Sequence, residues 1–518
     1  AVMYMIVVDR FANGDRTNDG PVGAPVDYPA DFHGGDLEGI LEVMRTGYFE
    51  ELGVNVLWLS PINQQAEGHF PGRDDGHEYA GYHGYWPSRG REVEPRFGGN
   101  AALSALIEEA HSRGIRVLFD LINNQIHQQH EYFGAHPDWF RTGCVCGQDP
   151  GCGWSERPLD CLFASYLPDI NWRVPEAESQ FIDDAIHWVD AFDIDGFRID
   201  AVKHVETSSI YNLRTALHRR FEQGGERLYL VGETAVGQWD TADYGCGDTY
   251  PNGYAWIDGY VGDFGLDGQF DFVLYHAVPY RVLARDEAPN RRFAHLDFWT
   301  RASLEQFAGF DMVKFIGSHD NSRFLTLATY RGQAGYPTGT ADSKWDNLPG
   351  PPPAGDTEPY DRLWLGMLDL MTLPGVPLLY YGDEYGEFGG GDPDNRHFMR
   401  FSGRSDRENA QDARMTRLLK ARARLAGLRR GDSYKVALLQ EDLFAFARVD
   451  RDPAQSALVV WNRLATPQTV MIPVPAELGW TAGMALTDYV AETSPAYQAG
   501  SVLSVTVPGR GGVVLGKK

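Results

Sequence analysis

Long apolar runs, cysteine and positive charge are all scarce in this sequence. No stretch of eighteen consecutive apolar residues occurs among its 518, which excludes a membrane-spanning helix. Lys and Arg number 46 against 72 Asp and Glu, a formal charge of −26. Phosphate binding needs a basic face, so nucleic acid and anionic membranes are excluded as partners, while neutral or cationic ligands stay open. Internal repeats and low-complexity tracts are absent as well. Of only five cysteines, Cys144, Cys146, Cys152 and Cys161 fall in one Gly-rich segment and Cys246 stands apart. Disulfides in an exported protein are the favoured reading, with three pairings open to four thiols. Free thiols and a zinc site are the rivals, although the spacing fits no standard C-x-x-C pair. A signal peptide is missing too: the first residues, AVMYMIVVDRF, already read as a core strand. Residues are therefore expected upstream, a cleaved export signal among them.

What is present describes a globular protein, 43% hydrophobic and 23% charged, long enough for two or three structural units. Its 13 Trp and 25 Tyr suit stacking on neutral polar ligands, although most such rings belong to cores. Eight short runs read as strands: VMYMIVVD, VNVLWLS, IRVLFD, FDIDGFRID, RLYLVGE, FDFVLY, MVKFIGSHD and VPLLYYGDE. Segments such as NAALSALIEEAHSRG and EAESQFIDDAIHWVDAF carry apolar residues at helical spacing between them. Alternating strands and helices imply a parallel sheet, and eight units imply an α/β (β/α)8 TIM barrel. The barrel is expected over residues 1–124 and 172–432, interrupted by a Gly-, Cys- and aromatic-rich inserted domain at 125–171. The Pro-rich stretch from Gly335 to Pro359 reads as a rim or lid element. From 433 to 518 the period of two in LFAFARV, ALVVWN and VLSVTV marks a C-terminal antiparallel β-sandwich.

Five of these runs finish on acids: Asp120, Asp200, Glu233, Asp320, and Asp383 with Glu384. All strand C-termini of such a barrel open on one face, so carboxylates far apart in sequence would converge there. Converging carboxylates beside a cation suit either glycoside cleavage with retention or a divalent-metal site. The neighbours favour the first. In GFRIDAVKH, Arg198 lies two residues before Asp200, so both side chains point the same way from a strand and the cation favours an ionised carboxylate. GET ends the fifth strand with Glu233, and GSHDNSRF sets His319 before Asp320.

These three segments, preceded by DLINNQ from Asp120, resemble in this order the four signature regions of the α-amylase family of glycoside hydrolases (glycoside hydrolase family 13), and the resemblance runs from first residue to last. It implies that Asp200 is the nucleophile, Glu233 the general acid/base and Asp320 the carboxylate that grips the sugar's hydroxyls, with Arg198 and His319 as companions. GYHGYW implies that Tyr85 stacks on the glucose at the cleavage point, with His83 and Trp86 beside it. Lys203 and His204, following the nucleophile, resemble α-amylases and cyclodextrin glucanotransferases and imply α-1,4 bonds. GGDPDNR resembles the loop in which Asp392 and Arg396 bind the chain further from the cut; a plain surface salt bridge is the bland alternative.

The same resemblance implies calcium, at one or two sites. DRFANGDRTNDG with HGGD is similar to the N-terminal calcium loop of cyclodextrin glucanotransferases, with Asn13, Asp15, Asn18, Asp19, Asp36 and the Gly34 carbonyl as hard oxygen ligands. A metal-free Gly/Asn turn is the alternative. The second site would join barrel to inserted domain through Asn124, Asp169 and the His204 carbonyl. Zinc at HQQH with His136 lacks the spacing of a helical metal pair. Gln125 departs from the family, which usually has a histidine there; an amide can donate a hydrogen bond but cannot become charged. The expectation is thus a secreted or periplasmic, monomeric α-glucan hydrolase cutting internal α-1,4 bonds of starch, glycogen or maltooligosaccharides. A transglycosylase of the same family, glucanotransferase or cyclomaltodextrinase-like, is the near alternative, weighed down by the absence of further domains after the sandwich. A non-catalytic amylase-like binding module is the distant one.

Overall fold

The computed structural model describes residues 1–20, 28–73, 76–236, 251–287, 289–430 and 434–518. Cys246, which the sequence sets apart, lies outside them. Eight parallel strands form the barrel: β1 (Met3–Ile6), β2 (Val56–Leu59), β3 (Arg116–Leu121), β4 (Gly196–Ile199), β5 (Tyr229–Gly232), β6 (Gly268–Gln269), β7 (Val313–Lys314) and β8 (Val376–Tyr380). They pair in the order β6-β5-β4-β3-β2-β1-β8-β7. A bridge between Phe270 and Val313 joins β6 to β7, so the sheet closes on itself. Strands covered on both faces need apolar side chains throughout, which is why MYMI and VLWL are buried at every position. The helices Gly99–Ser112 and Pro175–Phe192 pack outside, at the segments read as helical from their period.

One of the eight expected strands is wrong in detail. FDFVLY is not a strand: β6 comes earlier and lasts two residues, and Phe272–Ala277 is a helix. The Asp271 carboxylate accepts the Leu274 N–H at 2.9 Å and so caps that helix. All six of its residues are buried, and a short helix buried on every side has no polar stripe to betray it.

Register sets up the site. Asp120 pairs with Arg198 across β3 and β4, and Ile199 pairs with Gly232 across β4 and β5, which puts Asp200 and Glu233 side by side at the strand ends. Residues 125–171 contain a short ribbon, Phe140–Arg141 with Asp169–Ile170, and two disulfides, Cys144–Cys152 and Cys146–Cys161. Beyond residue 433, a six-stranded antiparallel sheet and a two-stranded one, Gln468–Pro473 with Val502–Val507, enclose a core of their own around Leu458, Val460, Ile472, Val505 and Leu515. In the second of these the buried and exposed residues alternate, as a one-sided strand requires. This unit is fastened to the barrel by Arg463, whose guanidinium donates to the carbonyls of Val282 and Arg291 at 3.1 Å each. Among the described residues no helix is long and apolar enough to cross a membrane.

Candidate active site

The C-terminal ends of β2, β3, β4, β5 and β7 meet around one guanidinium. Arg198, buried at 1% exposure, donates from Nη1 to Asp120 Oδ1 at 2.8 Å and to Asp200 Oδ1 at 2.7 Å; its Nη2 lies 2.9 Å from Glu233 Oε2. It also lies over the Trp58 ring, 4.9 Å from the centroid. Asp120 is held on its other oxygen by the Trp58 indole at 3.1 Å and the Tyr85 hydroxyl at 2.9 Å. Tyr85 is 2.7 Å from His319 Nε2, and His319 Nε2 is 3.3 Å from Asp320 Oδ2. After Asp200 the backbone turns sharply through Ala201, a non-glycine residue at φ +47°, whose N–H points at Glu233 Oε2 from 3.4 Å.

One cation among three carboxylates is a deficit, and burial deepens it. Burial is the largest influence raising Asp120, to about 6, against the opposing pull of Arg198, Tyr85 and Trp58. It raises Asp200 well above the usual carboxylate range, with Arg198 again opposing and the Glu233 charge adding to the rise. Glu233 is raised by burial and by Asp320, against Arg198. Because Asp200 and Glu233 disfavour each other's charge, a proton on one keeps the other ionised, and the pair titrates as a unit. His83 and His319 are pushed well below their ordinary value, by burial first and Arg396 second, so both are neutral.

These groups open on a cavity of about 440 Å³, whose walls include Tyr85, Trp86, Gln125, Lys203, His204 and Asp320. Gln125 is buried, with its amide nitrogen 3.4 Å from the Tyr85 carbonyl. His83 accepts the Tyr85 N–H at 3.0 Å and packs edge-on against Trp86, so it braces the wall from behind. Lys203 donates to the Ala235 carbonyl, beside Glu233. The His204 ring bonds the Pro158 carbonyl at 2.7 Å, and burial takes it down to about 4. Arg396 reaches Asp320 at 3.3 Å and Asp392 at 3.0 Å, extending the polar track past His319. Trp58, Trp154, Phe163 and Leu167 belong to the site too and carry no motif; the last three come from the disulfide-bearing insert. Two acids expected at the mouth are elsewhere: Asp383 pairs with Arg323 at 2.9 Å, and Glu384 accepts from Tyr4 at 2.9 Å and from Tyr48.

The two calcium expectations meet different surroundings. In the N-terminal loop Asn13 Nδ2 bonds Asp19 at 2.9 Å, and Asp36 accepts the N–H groups of Gly14, Asp15 and Gly39 at 3.0, 2.8 and 2.6 Å. Gly34 packs against Asn13 and Asp19 so closely that a Cβ there would clash. The side-chain oxygens of Asn13 and Asn18 are buried with no hydrogen-bond partner among the described residues. Orphaned oxygens beside carboxylates are a donor set that fits a hard cation. Asn124, Asp169 and His204 also converge. The Asn124 amide nitrogen donates to Gln125 Oε1 at 3.1 Å, and its oxygen faces the His204 carbonyl at 3.1 Å and Asp169 Oδ1 at 3.2 Å, so three oxygens meet; only with the amide turned would its nitrogen donate to those two. Asp169 Oδ2 is already neutralised by Arg141 at 2.8 Å, whose other nitrogen bonds Glu206. Among the described residues no three His, Cys, Asp or Glu side chains gather as a metal cluster. His127 and His130 accept the N–H groups of Gln129 and Tyr132, and His136 stacks on Trp139.

The family model described as "Alpha amylase, catalytic domain" matches residues 5–141 and 159–336, more than half of the chain. A cyclomaltodextrinase of Geobacillus thermopakistaniensis (strain MAS1) is 26% identical over 503 residues, covering 92% of this chain and 71% of its own. Neopullulanase 2 of Thermoactinomyces vulgaris is 28% identical over 502 residues, covering 93% and 72%. The crystal structure of an α-amylase from Geobacillus thermoleovorans complexed with acarbose superposes with a TM-score of 0.75 at 25% identity, covering 100% of this chain and 98% of that one.

Proposed function

This chain belongs to the α-amylase family of glycoside hydrolases, and from that premise we propose that it hydrolyses α-1,4-glucosidic bonds of starch, glycogen and maltooligosaccharides with retained configuration. The observation that carries the reading is the Arg198 guanidinium, which holds Asp200 and Glu233 together at adjacent strand ends while supplying charge for only one of them. In the first step the ionised Asp200 attacks the anomeric carbon and Glu233 gives its proton to the departing glycosidic oxygen. In the second, water attacks the same carbon, Glu233 takes back a proton, and the Asp200 ester is released. Asp320, whose side chain is 47% exposed, faces the entering sugar and grips its hydroxyls. Tyr85 offers its ring as a platform while its hydroxyl is tied to Asp120. The Asp200→Asn variant should release reducing sugar from soluble starch at least about 10³-fold more slowly than the parent, and the first product seen by proton NMR should be the α-anomer. Unchanged activity in that variant would remove the nucleophile assignment; products longer than maltotetraose appearing early from maltotetraose would make the enzyme a transglycosylase.

One calcium ion fits the N-terminal loop, where Asn13, Asn18, Asp19 and the Gly34 carbonyl would hold it beside Asp15 and Asp36. Its role would be structural, tying that loop to the helix Leu37–Arg45 that Asp36 caps. At Asp169 the Arg141 guanidinium already supplies the charge, so we propose the ion at the N-terminal loop alone. Chelation should therefore lower the melting temperature of the parent but not that of Asn13→Ala/Asn18→Ala; an ion at 100 times its dissociation constant stabilises by about 2.7 kcal/mol. The disulfides in the insert fit an exported protein.

A further inference from the structure

The direction of the cleft follows from the acid/base, on the reading proposed above. Glu233 faces the departing oxygen, so the leaving sugars lie toward Lys203 and Ala235. The sugar kept on Asp200, and whatever precedes it in the chain, runs the opposite way, past His319 and Asp320 toward Arg396 and Asp392.

Across that end runs part of the loop after β7. Asp342 is anchored by Ser322, whose hydroxyl donates to it at 2.7 Å. The Ser343 carbonyl accepts the Gly391 N–H at 3.1 Å and presses so closely on Gly390 that a Cβ there would lie 2.0 Å from it. Only glycine lets the two backbones touch. Lys344 adds positive charge beside Asp392. Trp345 then crosses to the two-stranded ribbon of Phe70–Pro71 with Glu78–Tyr79, where its ring stacks on His77 with centroids 4.0 Å apart at 21° and meets the edge of Tyr79 at 5.7 Å. Next to the anchorage at Gly391 stands Asp392, bonded with Tyr82 and Arg396 in a set of contacts of 3.0 to 3.3 Å.

We propose that residues 342–345 form a strap that walls off the glycone end of the cleft, so that the enzyme removes glucose and maltose from non-reducing chain ends rather than cutting internal bonds. On this proposal the sugar on Asp200 would occupy the cavity, one further unit would meet Asp392 and Arg396, and the His77–Trp345 stack would stand where a third would go. Cleavage at chain ends would take the place of the internal cleavage expected from sequence.

The test compares two 4-nitrophenyl maltoheptaosides, one with a free non-reducing end and one whose end carries a 4,6-ethylidene block, for the parent, Trp345→Ala and His77→Ala. The parent should release only glucose and maltose first from the free substrate and should cleave the blocked one at least tenfold more slowly. Either variant should raise the blocked-to-free rate ratio severalfold and yield maltotriose or longer pieces from the non-reducing side. Maltotriose or longer among the parent's first glycone products, or a ratio unmoved in both variants, overturns the strap while leaving the hydrolase reading intact. Failure of the parent to cleave either substrate overturns the hydrolase reading and the strap with it.

Discussion

At Gln125 an amide stands on the cavity wall where an imidazole is usual in the family. Its nitrogen faces the Tyr85 carbonyl at 3.4 Å and its oxygen accepts from the Asn124 amide at 3.1 Å, and it carries no charge. An imidazole there would add one directed donor toward the bound sugar, and a neutral hydrogen bond contributes about 1 kcal/mol, or roughly fivefold. Gln125→His should therefore lower KM for maltotriose about fivefold with kcat changed less than threefold; identical steady-state constants and products would make Gln125 a bystander. That position was legible because a single side chain breaks a motif. Arg198 and Asp200 were legible because two residues on one strand face the same side. Trp58, Trp154 and Phe163 were not, since a tryptophan in a strand or a Gly-rich loop reads as core until the fold shows what it touches.

Elements were legible where their hydrophobic period was long. The barrel strands β1, β2, β4 and β5 lie inside the short apolar runs and β3 passes its run by one residue, Leu121, while the helices Gly99–Ser112 and Pro175–Phe192 each start one residue before the segments that three-to-four spacing marks out. FDFVLY failed because burial on all sides erases the period, and Asp383 and Glu384 failed because a strand end fixes position but not which way a side chain is drawn. The segment after β8 illustrates the second point. His397 there sits between Asp394 and Glu387, 3.3 Å from each, and Arg400 holds Glu387 at 3.0 Å. Burial works against a charged imidazole, yet the hydrogen bonds of Asp394 and Glu387 prevail and lift it to about 9. A folded value above the unfolded 6.5 means stability fully present below about pH 6.5 and lost as pH rises through about 9. The ring is 34% exposed, so the contribution is discounted to about 1–2 kcal/mol. His397→Gln should lower the melting temperature by roughly 1–3 °C at pH 6 and by much less at pH 10; an equal loss at both would show that packing, not charge, is what His397 supplies.

For the whole molecule, one apolar core runs through the barrel and into the near face of the C-terminal sheet, while the four paired cysteines form a small cluster separate from it. The division follows from composition. Ile126, Phe140 and Ile170 give the insert a small apolar cluster, but residues 143–153 hold a single aliphatic side chain, Val145, and there covalent links do what burial cannot. What they fix is the outer wall of the active site. Trp154 and Phe163 flank the Cys161 side of the insert, pack on each other at 5.2 Å, and both meet the His204 ring, at 5.5 and 4.9 Å. Closing the loop of separation 15 between Cys146 and Cys161 contributes about 3 kcal/mol of local order, none of it to the barrel strands that carry Asp200 and Glu233. Cys146→Ser/Cys161→Ser should accordingly raise KM for maltotriose severalfold, leave kcat within about twofold, and shift the main thermal transition by only a few degrees. Reduction of the parent with dithiothreitol should reproduce the same split. If kcat fell with KM constant, or if activity were lost only in step with global unfolding, the insert would be part of the folding core rather than a wall held up by its disulfides.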